Sequence, residues 1–358
     1  NINMNINEVR NDIEKKLKEF LPNTISDNWK KTNFGILPDS VLQMHINELL
    51  EPCNSLLSLG GKRWRPVLQV LCSMMVSNVK KGKVDISESL SLTPLVEFVH
   101  TASLIHDDIE DGADTRRGKP AAHISYGLDV ALNAGSWLYF VAPTAIDSLS
   151  ISNEQKNIYY SLFMTELRRL HLGQAMDIYW HRNPEIFPSI DEYKAMVQNK
   201  TGTLSCLAVQ TGVLAGGGSK EEAILAGNIA RGIGEGFQIL DDVQNITTGN
   251  PGKKRGDDIV EGKKSLPVLM HIKENPSDKK TISLYFKNAK KDGIISEDVE
   301  NCILLLEKGG CIQKAFNKGQ SLVKEKSLEL VHLFENNSQL SEYATEIIKL
   351  FEGMLPKV

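Results

Sequence analysis

"SLSLTPLVEFVHTASLIHDDIED" (residues 89–111) decides how this chain is read. Its apolar residues recur three and four apart, the spacing of one helical face and not the alternation of a strand. It ends in three aspartates within five residues: Asp107, Asp108 and Asp111. On a continuous helix His100, Ser103, Leu104, Asp107, Asp108 and Asp111 share a stripe, because residues three and four apart lie on one face. Asp107 and Asp111 then stand one turn apart, where like charges repel by about 0.2–0.5 kcal/mol. A solvated acidic helix end would tolerate that. Here, however, the stripe runs back into Leu104 and Val96, which should face a core. Carboxylates at the mouth of an apolar region are costly unless a cation is present.

The helical period continues outward in both directions. "RPVLQVLCSMMVSNV" (65–79), "NEQKNIYYSLFMTELRRLHLGQAMDIYW" (153–180) and "SKEEAILAGNIARGIGEGFQILDDVQNI" (219–246) repeat it. Breakers such as "SLGGKR", "HRNPEIFPS", "AGGGSK" and "TTGNPGKKRG" fall between the segments. Strand-type alternation is scarce. The pattern predicts an all-α chain, one domain over residues 1–358, with about twelve helices around a central cavity. Residues 1–25 read as a peripheral or poorly ordered segment. The 358 residues carry 41% apolar and 24% charged side chains, ordinary for a globular protein. A net charge of −4 supplies no global basic field for nucleic acid or anionic membrane. Five cysteines without a CxxC pair suit a reducing, cytoplasmic setting, with no disulfide framework or thiolate zinc site. No apolar run approaches the roughly 18 residues of a membrane span. The start has no secretory signal, and a trimmed targeting segment would leave no trace.

A second acidic stretch, "EGFQILDDVQNI" (235–246), repeats the first arrangement, with Gln238, Asp241, Asp242 and Asn245 at helical spacing. Two such patterns point to an oxygen cage. Oxygen ligands without His or Cys suit Mg²⁺, which keeps waters and shares its shell with substrate phosphates. Basic groups beside glycines supply grips for such a substrate. They are Lys62, Arg63 and Arg65 in "GGKRWRP", Arg116 and Arg117 in "TRRG", Lys200 in "NKTG", and Lys253, Lys254, Arg255 and Lys263 in "GKKRGDDIVEGKK". Arg offers a bidentate fork and Lys a point charge. Each alone is more often a solvated surface charge. "GGK" is not a P-loop, because GxxxxGK[ST] is missing.

Taken in order, "GGKRWRP", "HDDIEDGADTRRGKP", "GQAMDIYW", "NKTGTL", "GFQILDD" and "GDDIVEGKKSLP" resemble the blocks of the trans-isoprenyl diphosphate synthases, from about residue 56 to about residue 275. "NAGSWLYF", "ELRRLHLGQAMDIYW" and "DDVQN" look closest to the fungal and animal type of geranylgeranyl diphosphate synthase. Asn245 departs from a general DDxxD motif, though not from that branch. Ser136 stands where bacterial members commonly carry Asp.

The resemblance implies an isoprenoid-synthase-type helical bundle with a deep central cavity. It also implies a homodimer and head-to-tail condensation of isopentenyl diphosphate with dimethylallyl, geranyl or farnesyl diphosphate. About three Mg²⁺ ions would be held by Asp107, Asp111 and Asp241, with Asp108 and Asp242 nearby. Arg116, Lys200 and Lys254 would meet the leaving diphosphate. Lys62, Arg65, His100 and Arg117 would grip isopentenyl diphosphate. Gln174, Asp242 and Lys263 complete the substrate-binding set, and Thr201 and Gln238 are dipoles beside the allylic cation. Small residues at Ala102 and Ser103 leave the product channel open. Tyr139, Phe140 and His171 match that branch's bulky trio and are expected as its floor. This favours a C20 product over farnesyl or longer chains. A class I terpene cyclase would also use acidic helix ends, but it needs no second diphosphate grip. A catalytically idle subunit would be expected to lack one acidic motif.

Overall fold

The computed structural model describes residues 5–357. Among these the all-α expectation holds: nineteen α-helices and a single two-residue β-ribbon, Thr115–Arg116 against Lys119–Pro120. The excess over about twelve comes from breaks that periodicity does not register. Residues 89–111 are not one helix. They divide into Ser87–Ser91 and Pro94–Asp111, with Pro94 in the first turn, where its missing N–H costs nothing. No described helix is long and apolar enough to cross a membrane. The single-domain expectation meets two compact groups of residues.

The first unit comprises Asn1–Met164, Leu207–Gly227 and Leu333–Leu350. Its N-terminal helix, Ile6–Phe20, starts at Asn5, whose Oδ1 accepts from the Asn7 amide at 3.0 Å. Val9, Ile13 and Leu17, four apart, are buried, so the Ile6–Phe20 helix turns an apolar stripe inward. Residues 1–4 lie outside the described range. The Pro94–Asp111 helix buries Val96, Val99, Ala102 and Ile105 and stops at Gly112, whose φ of 65° is the left-handed cap glycine tolerates best. At Gly212 a Cβ would come within 2.4 Å of the Gln69 carbonyl oxygen, so the Gly202–Ala215 and Trp64–Lys80 helices need glycine to approach there.

The second unit comprises Thr165–Cys206, Asn228–His332 and Phe351–Val358. Its core gathers Trp180, Val197, Ile239, Val243 and Leu269, with a satellite around Ile282, Phe286 and Ile303. A reciprocal cap starts the Ile190–Lys200 helix. Ser189 Oγ accepts from the Glu192 amide at 3.1 Å, and Glu192 Oε1 accepts from the Ser189 amide at 3.2 Å. That helix ends against Gly173, where a Cβ would fall 2.3 Å from the Lys200 amide nitrogen. The glycine of "GQAMD" thus lets Lys200 approach the helix that carries Gln174 and Asp177.

Candidate active site

In the first unit Asp107 and Asp111 are half-buried in the last turn of the Pro94–Asp111 helix. Asp108 does not join them. It is buried, and Arg116 takes both its oxygens, Nη2 to Oδ1 at 2.6 Å and Nε to Oδ2 at 3.1 Å. The short ribbon brings Arg116 back to it. The expected shared stripe is therefore corrected, because adjacent residues point about 100° apart around a helix. Asp108 aims Arg116, whose side chain remains 30% exposed.

The "GGKRWRP" loop divides its cations in the same way. Lys62 is exposed. Arg65 turns toward His100, Nη1 to Nε2 at 3.4 Å, with its guanidinium 4.5 Å from the Trp64 ring centroid. Arg117, at a left-handed φ of 52°, donates to the Gly60 carbonyl and lies against Gly61. Burial first, then the charges of Arg65, Arg117, Arg116 and Arg63, hold the His100 pKa far below the ordinary imidazole range. His100 is thus neutral and can accept from Arg65. Arg63, expected from its glycine-flanked position to be one of the substrate grips, instead points inward. Nε reaches Glu14 Oε1 at 2.6 Å, Nη1 reaches Glu97 Oε1 at 2.8 Å and Nη2 reaches the Leu57 carbonyl at 2.7 Å. Its φ is also 52°.

In the second unit Asp241 is exposed and Asp242 is buried. Tyr193 Oη donates to Asp242 Oδ2 at 3.1 Å and Gln238 Nε2 to Oδ1 at 2.9 Å. Burial first, then the charge of Asp258, pushes the Asp242 carboxyl above the ordinary carboxylate range. Thr201 Oγ1 donates to Gln238 Oε1 at 3.0 Å, so both ends of that amide are engaged. Lys200 Nζ meets Asp177 Oδ2 at 2.7 Å. Burial opposes the charge on Asp177, but Lys200 and then Lys263 more than offset it, and the pKa falls below the ordinary value. These groups line a cavity of about 20 Å³, room for one water. Gln174 is half-buried and Lys254 exposed; Lys263 lies 3.3 Å from Glu261 and 3.7 Å from Asp258.

Sequence reasoning missed Asp177, Tyr193 and Lys264. "GQAMD" contained the signal for Asp177, three residues after Gln174. Nothing in the sequence marks Lys264, which is buried beside Lys263. Its Nζ donates to the carbonyls of Trp180 (2.8 Å), Asn183 (3.3 Å) and Gly262 (3.3 Å), and burial lowers its pKa to about 8. A cation there faces the carbonyl end of the Asn153–His181 helix, the favourable end for positive charge.

The product-channel residues separate. Ala102 is fully buried, and Ser103 Oγ donates to the His100 carbonyl. Tyr139 is 6% exposed, its ring 5.5 Å from that of His106, the residue before Asp107. Phe140 is 73% exposed, and His171, in the second unit, is exposed with Nδ1 2.8 Å from the Leu167 carbonyl oxygen. Of the trio only Tyr139 is therefore buried; Phe140 and His171 are each exposed on their own unit. One step of helical phase separates Tyr139 from Phe140.

No group of three His, Cys, Asp or Glu side chains poised for a metal occurs among the described residues. Asp107 and Asp111, one turn apart and partly open, fit an ion that completes its shell with phosphate oxygens and water, as Mg²⁺ does.

An all-helical chain with two acidic helix ends and glycine-flanked cation loops has the features of the helical prenyl-chain enzymes, and comparison with known proteins agrees. The polyprenyl synthetase family model matches residues 46–303. A geranylgeranyl pyrophosphate synthase of Gibberella zeae is 34% identical over 236 residues, 65% of this chain and 60% of that protein. A short chain isoprenyl diphosphate synthase of Methanocaldococcus jannaschii is 35% identical over 258 residues, 71% of this chain and 76% of that one. The solved geranylgeranyl pyrophosphate synthetase of Pyrococcus horikoshii superposes with a TM-score of 0.79 at 28% identity, covering 99% of this chain and 97% of that one. This chain belongs to the polyprenyl synthetase family, and the expected membership among trans-isoprenyl diphosphate synthases, which are prenyltransferases, is borne out.

Proposed function

We propose that the chain condenses isopentenyl diphosphate with an allylic diphosphate and releases geranylgeranyl diphosphate, C20. The observation that carries this is the cation loop of the first unit. Lys62, Arg65 and Arg117 sit at one glycine-rich turn with a neutral His100, an anion grip distinct from the acidic helix ends. A terpene cyclase, acting on a single diphosphate, would have no use for it.

When bound, Mg²⁺ on Asp107, Asp111 and Asp241 would supply Lewis-acid neutralisation of the leaving diphosphate. Arg116, Lys200 and Lys254 add positive charge at that group. The allylic C–O bond breaks with its electron pair leaving on the diphosphate. C4 of isopentenyl diphosphate attacks the allylic cation, and a proton is lost from C2, to the departing diphosphate. Thr201 and Gln238, locked by hydrogen bonds to each other and to Asp242, present fixed dipoles without reorganising.

Arg65→Ala is expected to weaken isopentenyl diphosphate binding by about 1.5–3 kcal/mol, the scale of a lost charge-assisted contact, and to leave the allylic KM nearly unchanged. Equal effects on both substrates, measured by steady-state kinetics, would refute the assignment.

Chain length follows from Tyr139. Ala102 lies about 7.5 Å along the helix axis from Asp107, at 1.5 Å per residue, and puts no bulk in the way. Tyr139, buried against the same helix, is the stop in this reading. With farnesyl and isopentenyl diphosphates the wild type is expected to give C20, Tyr139→Ala to extend to C25 and beyond, and Phe140→Ala and His171→Ala to change nothing. A C20 product from Tyr139→Ala would remove Tyr139 as the floor. The exposed Leu128, Leu132 and Phe140 on the Leu128–Val141 helix favour a homodimer that covers them, and a sedimentation mass of one chain would count against it.

A further inference from the structure

The fifth position of the second acidic motif carries Asn245 where an aspartate would complete DDxxD. Its side chain is fully buried and makes contacts on both ends of the amide. Nδ2 donates to Asn250 Oδ1 at 3.0 Å and toward the Lys254 carbonyl at 3.4 Å. Oδ1 accepts from the Asp258 amide at 3.0 Å, and the backbone carbonyl of Asn245 accepts from the Gly256 amide at 2.9 Å. Asn250 in turn donates Nδ2 to the carbonyl of Asp241 at 3.2 Å. One amide thus closes the loop that presents Lys254.

We propose that Asn245 is a positioning residue for the Lys254 loop and not a metal ligand. The inference rests on the proposed function only in giving Lys254 a diphosphate to meet. An amide can donate twice and accept at once, whereas a carboxylate only accepts. An aspartate here would keep the contact with the Asp258 amide and turn its other oxygen toward two acceptors. The asparagine is required by the loop it closes.

The test compares wild type, Asn245→Asp, Asn245→Ala and Asn250→Ala as full chains, each checked for an unchanged far-ultraviolet spectrum. Limited trypsin digestion without ligand reads the loop directly, because Lys253, Lys254 and Arg255 are three consecutive cleavage sites. Cleavage there should be about tenfold faster in both Asn245 variants, and less so in Asn250→Ala, since local opening scales with the hydrogen bonds lost. The second readout is the Mg²⁺ dependence of turnover. The loop-closing role predicts a raised allylic KM for Asn245→Asp with half-saturating Mg²⁺ no lower than wild type. A metal-ligand role predicts a lower one, since a carboxylate binds Mg²⁺ better than an amide. Unchanged cleavage in Asn245→Asp, or Mg²⁺ half-saturation that falls, overturns the proposal. If wild type shows no prenyl transfer, the proposed function fails, and the digestion still decides the role of Asn245.

Discussion

Asp107→Ala and Asp241→Ala are each expected to reduce turnover by ~10³-fold or more, with little change in fold. Both carboxylates sit on a helix end at the accessible side, and neither is the buried member of its pair. Their removal costs the packed core little, so the loss should appear in kcat while the melting temperature stays close to wild type. The neighbouring aspartates give the contrast. Asp108→Ala strands Arg116, and Asp242→Ala strands the hydroxyl of Tyr193 and the amide of Gln238, so both should lower stability as well as activity. Chelation with EDTA should abolish wild-type activity and Mg²⁺ should restore it. Turnover within tenfold of wild type in either Asp107→Ala or Asp241→Ala, or full activity in EDTA, would end the metal-assisted reading.

Arg63→Met is expected to lower the stability of the first unit by about 3–5 kcal/mol, the cost of leaving a buried charge without its partner. Arg63 and Glu97 are 5% and 3% exposed, and the 2.8 Å bond between them lies in the core. Burial opposes the charge on Arg63, but the hydrogen bond to Glu14 and the charges of Glu97 and Glu14 more than offset it, raising its pKa. Glu14 is 48% exposed and screened by water, so it contributes little of this energy. The double variant Arg63→Met/Glu97→Met removes both charges and should recover most of the stability, because a well-packed apolar pair often replaces a buried ion pair without loss. It should not recover the isopentenyl diphosphate KM. Arg63 also ties the left-handed turn to the Leu57 carbonyl, and Lys62 and Arg65 flank it. Chemical denaturation followed by substrate kinetics separates the two effects. A single variant as stable as wild type would refute the stabilising role of the buried pair.

Much of the site was legible in the sequence because its spacing is local. Aspartates at one-turn spacing on a helical run and glycine-flanked arginines need no tertiary information to be found. The all-helical class followed from period alone, since few stretches alternate as strands do. Periodicity did not resolve which member of each Asp-Asp pair faces outward. Adjacent residues differ by about 100°, and an apolar stripe is at least that wide, so either aspartate could sit on its edge. Packing settled it, turning Asp108 to Arg116 and Asp242 to Tyr193, partners 8 and 49 residues away. The same angular step put Tyr139 inside and Phe140 outside.

The sequence by itself determined the helices, the acidic ends and the cation-rich loops, because those depend on residue type at separations of a few positions. The tertiary structure alone decided that Arg63 points inward while Arg65 meets His100, and that Asn245 closes a loop. Those directions are set by left-handed turns at Arg63 and Arg117, by Glu97 34 residues from Arg63, and by the Asp258 amide 13 residues from Asn245. A buried polar group must find a hydrogen-bond partner in three dimensions, and no local pattern records where that partner will be.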